Sequence, residues 1–351
     1  MSGPVVPHVV AAPDKFRGTA SAPEAAAAMA EGARRAGWTA DEVPMSDGGE
    51  GLLEALGGEA RTAVVTGPLG TPVDAEWRWL PGRGDGGGRG GVGATAVIEM
   101  SRAAGRALVP HPAGDDPVRA TTTGVGELVR AACAAGATRI VVGCGGSATT
   151  DGGWGAVEAI GNRAVLDGVE VLVACDVTTP FRRAGEVFGP QKGATPAQVQ
   201  QLTARLDALA GRYRRDFGVD VDAVAGTGAA GGLAGGLVAL GARIVPGFDL
   251  VADLAGLEDR MARATVVVTG EGHLDPPSFS GKVPGGVLAL AAGRCPVLCV
   301  VGDAEAPLLE SPPAGMTVVS LTERFGPVRA RAETLERIAD VVEAELSRFC
   351  P

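Results

Sequence analysis

Only three of the 31 basic side chains in this 351-residue sequence are lysines, and each stands beside a glycine or a turn: Lys15 in PDKFRG, Lys192 in FGPQKGATP and Lys282 in FSGKVPGG. A compact ammonium acts on phosphate as a point charge, whereas the guanidinium of arginine offers a planar fork. Carboxylates occupy turns of the same kind: Asp14 after the first apolar run, Asp47 and Glu50 in MSDGGEG, Asp151 in TTDGG, Asp176 in ACDV, and Glu271 and Asp275 in TGEGHLD. One such acid would serve to cap a helix. Repeated, and with lysines in similar turns, the set is the mixture phosphoryl chemistry needs: carboxylates on the metal side, cations and helix N-termini to neutralise phosphate.

Other chemistries fit the sequence less well. His8, His111 and His273 stand beside no nucleophile motif, and neither a G-x-S-x-G elbow nor a G-x-x-x-x-G-K-[ST] loop occurs. The rival is GTGAAG, Gly226 to Gly231, which matches the dinucleotide fingerprint with Asp249 further along, and would make the chain an NAD(P)-dependent oxidoreductase. GCGGSA from Gly143, followed by Asp167, is a weaker form of it. With 55 glycines in the chain, such matches arise easily by chance.

The elements that must hold these groups read as α/β. Strand-like runs alternate with Ala/Leu-rich helical runs, from HVVA before a helix with Ser21 and Glu24 at capping-box spacing to PVLCVV, TVVSL and a terminal helix around AETLERIADVVEAELSRF. Between Thr62 and Met100 the pattern becomes a meander, with GRGDGGGRGGVGA as a hairpin tip. The expected architecture is a doubly wound, Rossmann- or flavodoxin-like domain formed by both chain ends, 1–66 with 258–351, interrupted by an inserted α/β domain over 67–257. Ligands of such sheets lie outside the carboxyl ends of the strands, where the glycine-rich turns fall.

Composition excludes several partners. A net charge of −10 and a pI near 5.0 argue against nucleic acid. Ala223 to Ala242 is uncharged, but seven of its residues are glycine and five are Leu or Val, which suits a packed glycine-rich helix better than a membrane span. The six cysteines form no C-x-x-C pair and the N-terminus has no basic n-region, so a cytoplasmic protein with reduced thiols is expected, monomeric or homodimeric.

The order of the motifs resembles that of the class I glycerate kinases. The stretches that carry it are APDKFRGTASAPEAA, MSDGGEG, TTTGVGELVRAA, GCGGSATTDGG, VACDVTTPF, VFGPQKGATP, GTGAAGGLAGGL and VVTGEGHLDPPSFSGKVPGGV, spanning roughly residues 10 to 300. The first turn differs from the family's Asp-Ser-Phe-Lys-Gly in reading Asp14-Lys15-Phe16-Arg17-Gly18. Thr150, His273 and Pro277 also depart from it. The resemblance implies two α/β domains and transfer of the γ-phosphoryl group of ATP, with Mg²⁺, to D-glycerate, giving 2-phosphoglycerate; the 3-hydroxyl is the alternative acceptor. Expected as catalytic are Asp47, which would orient or deprotonate the hydroxyl, Lys15, Asp151 and Lys282. Asp151 and Asp176 are expected on the metal side. Asp14, Arg17, Gly48, Gly49, Gly145, Gly146, Ser147, Thr149, Lys192 and Glu271 are expected to bind substrate or phosphate, the amides of Gly145 to Thr149 forming the cradle.

Overall fold

The computed structural model describes residues 6–82, 93–109 and 116–349. The glycine tract expected to tip a hairpin falls mostly within 83–92, and it lies with His111 and Cys350 outside the described residues. The chain divides into two compact units: Met1–Asp47 with Glu54–Leu56 and Gly247–Pro351, and Gly48–Leu53 with Gly57–Pro246. Among the described residues the strands in chain order are β1 (His8–Ala11), β2 (Thr39–Glu42), β3 (Glu59–Thr66), β4 (Pro72–Leu80), β5 (Thr95–Glu99), β6 (Arg139–Gly143), β7 (Glu170–Ala174), β8 (Arg243–Val245), β9 (Val266–Thr269), β10 (His273–Leu274), β11 (Val297–Val301), β12 (Asp303–Ala304) and β13 (Met316–Ser320).

In the first unit β2, β1, β9, β11 and β13 form one sheet in that order, every neighbouring pair parallel. Ranked by position in the chain the order is 2-1-3-4-5, the flavodoxin-like arrangement, whose switch point lies between β1 and β9. The sequences of β9, VVVT, and β11, VLCVV, are buried throughout, as strands covered on both faces must be. Helix Ala22–Arg35 begins with the capping box of Ser21 and Glu24 and ends with Arg34 and Arg35 against the carbonyl end of its dipole. It buries Ala25, Met29 and Ala33 with Ile338, Val341 and Val342 of helix Thr334–Glu345 and with Val9, Val266 and Val268 of the sheet.

The second unit is built on a mixed sheet in the order β3-β4-β5-β6-β7-β8. The meander β3-β4-β5 is antiparallel, and β5 to β8 run parallel. A boundary after residue 66 would leave β3 with the chain ends, yet β3 pairs with β4 along its whole length, Glu59 opposite Trp79 through Thr66 opposite Pro72. Helix Pro196–Phe217 starts at a Thr195/Gln198 capping box and stops at Gly218 in the left-handed region. Within Ala223 to Ala242 the helix Ala229–Ala239 is broken by left-handed Ala230, Gly231 and Gly232, and among the described residues no helix is long and apolar enough to cross a membrane.

Gly270, directly after β9, packs so closely on β11 that an added Cβ would overlap the Val300 carbonyl. Gly270→Ala is therefore expected to destabilise the first unit by about 1–3 kcal/mol through overpacking. The measurement is the midpoint of denaturant unfolding, and an unchanged midpoint would contradict this packing.

Candidate active site

The switch point of the first sheet puts two acids side by side. Pairing of β1 with β9 runs on past both strands: Ala12 N–H donates to Val268 O at 2.7 Å and Asp14 N–H to Gly270 O at 2.9 Å. Asp14 and Glu271 thus leave neighbouring strand ends together. Asp47 joins them because Val43 and Met45 N–H continue the ladder from β2, donating to Ala11 O and Pro13 O at 2.8 and 2.9 Å. Lys282 stands just before helix Val283–Ala291, its ammonium 3.8 Å from Asp275, which in turn caps the short helix Pro276–Phe279. These side chains line a cavity of about 850 Å³ together with Lys15, Arg17 and His273.

Both central carboxyls are held toward their neutral forms. Burial raises Asp14 to about 6, and Asp47 adds to it, against the lowering influence of Lys15 and Lys282 and of the Lys15 N–H that donates to Asp14 Oδ1 at 2.7 Å. Burial likewise raises Glu271 to about 7, aided by Asp14 and Asp275 and opposed by Ser278 and Lys282. Among the described residues Glu271 Oε1 is buried without a hydrogen-bond partner. An acid in that range accepts or gives a proton near neutral pH.

The remaining expected residues lie in the second unit, around the turn after β6. Gly145 seats on the Gly48-Gly49 segment, its hypothetical Cβ only 2.7 Å from Gly49 Cα. Ala148 N–H is engaged by Ala104 O at 3.0 Å, which removes one amide from the expected cradle. Among the described residues the amides of Gly145, Gly146, Ser147 and Thr149 donate no hydrogen bond within the chain, so they stand available to an anion.

Three of the expected residues do not line the cavity of the first unit. Asp151 is buried, and both its oxygens are engaged: Oδ2 accepts from Thr122 N–H and Oγ1 at 2.8 Å each and from Gly155 N–H at 3.2 Å, and Oδ1 from Gly153 N–H at 3.1 Å. These bonds knot the loop together. Asp176 is exposed after β7, and among the described residues no group of three or more His, Cys, Asp or Glu side chains is arranged to hold a metal ion. Lys192, expected on phosphate, is 3% exposed and donates its ammonium to Thr149 O at 2.5 Å. Burial lowers it to about 7, with Arg106 adding to the effect and Asp151 and Cys144 resisting it.

The dinucleotide fingerprint also fails on geometry. No strand leads into Gly226 to Gly231, which follows the turn Val221–Ala223. Its close approaches are to the chain itself: a Cβ on Gly226 would lie 2.8 Å from Val177 O, one on Gly228 2.5 Å from Pro180 O, and one on Gly231 would overlap Thr149 O. These glycines pack closely against the protein's own backbone.

Sequence reasoning missed Gly302, Asp303, Thr322 and Arg331, which also line the cavity of the first unit. The first two follow β11, so the rule that ligands lie at carboxyl ends pointed to them; nothing in the sequence marked Arg331.

The family model described as "Glycerate kinase family" matches residues 9–168 and 162–348. The chain belongs to the glycerate kinase family. As a member of that family it is 39% identical over 334 residues to the glycerate 2-kinase of Escherichia coli, covering 84% of this chain and 85% of that one. It is 37% identical, with 84% and 85% covered, to the glycerate kinase of Bacillus subtilis. A crystal structure from Salmonella typhimurium LT2, provisionally named glycerate kinase 2, superposes with a TM-score of 0.81 at 33% identity over 98% of both chains.

Because Glu271 and Asp14 bind protons more tightly when folded, the stability they contribute is full below the ordinary carboxyl range and is lost as pH rises through about 6 and about 7. Glu271→Gln should flatten that decline. Denaturation midpoints measured from about pH 5 to about pH 8 would give wild type and variant converging at the acid end and the variant the more stable at the alkaline end. Parallel profiles would remove the buried-proton account.

Proposed function

We propose that this member of the glycerate kinase family is an ATP-dependent kinase that transfers the γ-phosphoryl group to the 2-hydroxyl of D-glycerate, releasing 2-phosphoglycerate and ADP. The observation that carries the proposal is the cavity at the β1/β9 switch point, where Asp14, Asp47 and Glu271 stand with Lys15 and Lys282. The choice of the 2-hydroxyl is supported by the E. coli relative named glycerate 2-kinase.

In this reading the substrate oxygen attacks the γ-phosphorus, the bond to the β–γ bridging oxygen breaks, and the hydroxyl proton passes to Asp47. Lys15 and Lys282 offset the anionic charge that collects as the two substrates meet, and positioning with charge neutralisation supplies most of the acceleration. The free amides of Gly145, Gly146, Ser147 and Thr149 are assigned to phosphate oxygens. Asp151, Lys192 and Tyr213, whose hydroxyl donates to Gly152 O at 2.8 Å, hold that turn in shape. Mg²⁺ bound with ATP would supply further neutralisation of the phosphate charge. The free cysteines fit a reducing cytoplasm.

A coupled assay should register ADP only when D-glycerate, ATP and Mg²⁺ are all present, with phosphorus NMR reporting the 2-phosphate. ATP consumption indifferent to glycerate would reject the assignment. Asp47→Asn is expected to lower kcat by about a hundredfold or more with glycerate binding retained. A variant turning over at the wild-type rate would take Asp47 out of the chemistry.

A further inference from the structure

Arginine is abundant in this chain and almost always engaged. Among the described residues only Arg17, Arg163 and Arg331 carry neither an ion pair nor a side-chain hydrogen bond, and two of these three line the cavity of the first unit. A shortage of partners is not the reason, since the chain has 41 acidic side chains against 31 basic ones. Arg34, Arg263, Arg294 and Arg324, on the same unit, each hold a carboxylate at 2.6 to 2.7 Å.

Both free guanidinium groups sit on fixed backbone. Arg17 belongs to the tight turn in which Phe16 and Ala20 bridge, with Gly18 left-handed and the Arg17 amide packed on Gly272. Arg331 lies on helix Pro327–Ala332, and the buried Thr334 hydroxyl donates to its carbonyl at 3.1 Å and to that of Ala330 at 2.7 Å. The cavity they line also carries Asp14, Asp47, Glu271, Asp275 and Asp303, with Lys15 and Lys282. Cations and carboxyls mixed in this way complement a small molecule with one anionic end and several hydroxyl donors. Glu271 Oε1, buried and without a partner among the described residues, supplies an acceptor for one of those hydroxyls.

We propose that Arg331 and Arg17 form the clamp for the substrate's carboxylate, so that this cavity selects a 2-hydroxy acid over a neutral polyol and binds it by its carboxylate end. The planar fork of arginine matches a carboxylate with two parallel hydrogen bonds, a geometry lysine cannot reproduce. The assignment rests on the glycerate kinase reading and adds the two residues that confer its acid specificity.

The test uses the full chain and compares wild type, Arg331→Gln, Arg331→Lys and Arg17→Gln. For each, KM is measured for D-glycerate and for MgATP, and binding of D-glycerate and of its neutral amide is followed by calorimetry. Losing charged hydrogen bonds should raise the glycerate KM and Kd of Arg331→Gln by roughly ten- to a hundredfold. The ATP KM should stay within about twofold and the preference for acid over amide should collapse, while Arg331→Lys keeps the charge without the fork and falls between. If the variants raise the ATP KM and spare glycerate, the guanidinium groups serve phosphate and the assignment is overturned with the kinase reading intact. If the wild type binds glycerate and Arg331→Gln loses it, yet no ADP is ever released, the kinase reading fails while the carboxylate clamp stands.

Discussion

The pairing of β1 with β9 is the constraint on which the first unit depends. It joins segments 257 residues apart, as the Thr269 hydroxyl bonded to Ala12 O at 2.8 Å illustrates, and it is the step at which the strand order reverses direction. Two neighbouring parallel strands whose onward connections diverge leave a crevice at their carboxyl ends, and the first residues past that edge become its walls. Asp14 and Glu271 are those residues. Their proximity follows from backbone hydrogen bonding, and Gly270 permits it by carrying no side chain where β11 presses close.

Burial gives those acids their chemical character. Burial disfavours the ionised form of each, a neighbouring acid adds to it, Asp47 for Asp14 and Asp14 for Glu271, and the nearby lysines only partly offset the effect. The second unit uses the same ingredients for a different purpose. There an acid and an amine are drawn inside the protein, Asp151 accepting four hydrogen bonds and Lys192 reaching a backbone carbonyl, so that their charges stiffen a glycine-rich turn. Residue types that read alike in the sequence thus divide into those that line the cavity of the first unit and those that shape a turn of the second.

That division marks the limit of what the sequence disclosed. Strand and helix identities were legible wherever periodicity and caps agreed, as in Ala22–Arg35 and Pro196–Phe217. The grouping of Asp14, Asp47, Glu271 and Lys282 was legible because each follows or precedes a regular element with glycine at hand. The roles of Asp151 and Lys192 were not, since burial depends on partners distant in the chain: Thr122 for the first and Thr149 for the second. Arg331 was invisible for a related reason. It lies on a helix of six residues with no motif, and only the closing of the sheet by β13 brings that helix to the crevice.

The long reach from β1 to β9 also dictates the order of events during synthesis. The first two strands emerge from the ribosome with their central neighbour still some two hundred residues away, so β1 must wait with an open edge of apolar sequence while the entire second unit is made. Closing so large a loop adds only slowly to the entropic cost, but it delays nucleation. Completion of the crevice is thus a late event, and a nascent chain stalled before Val266 would hold β1 against β2 with its other edge still open.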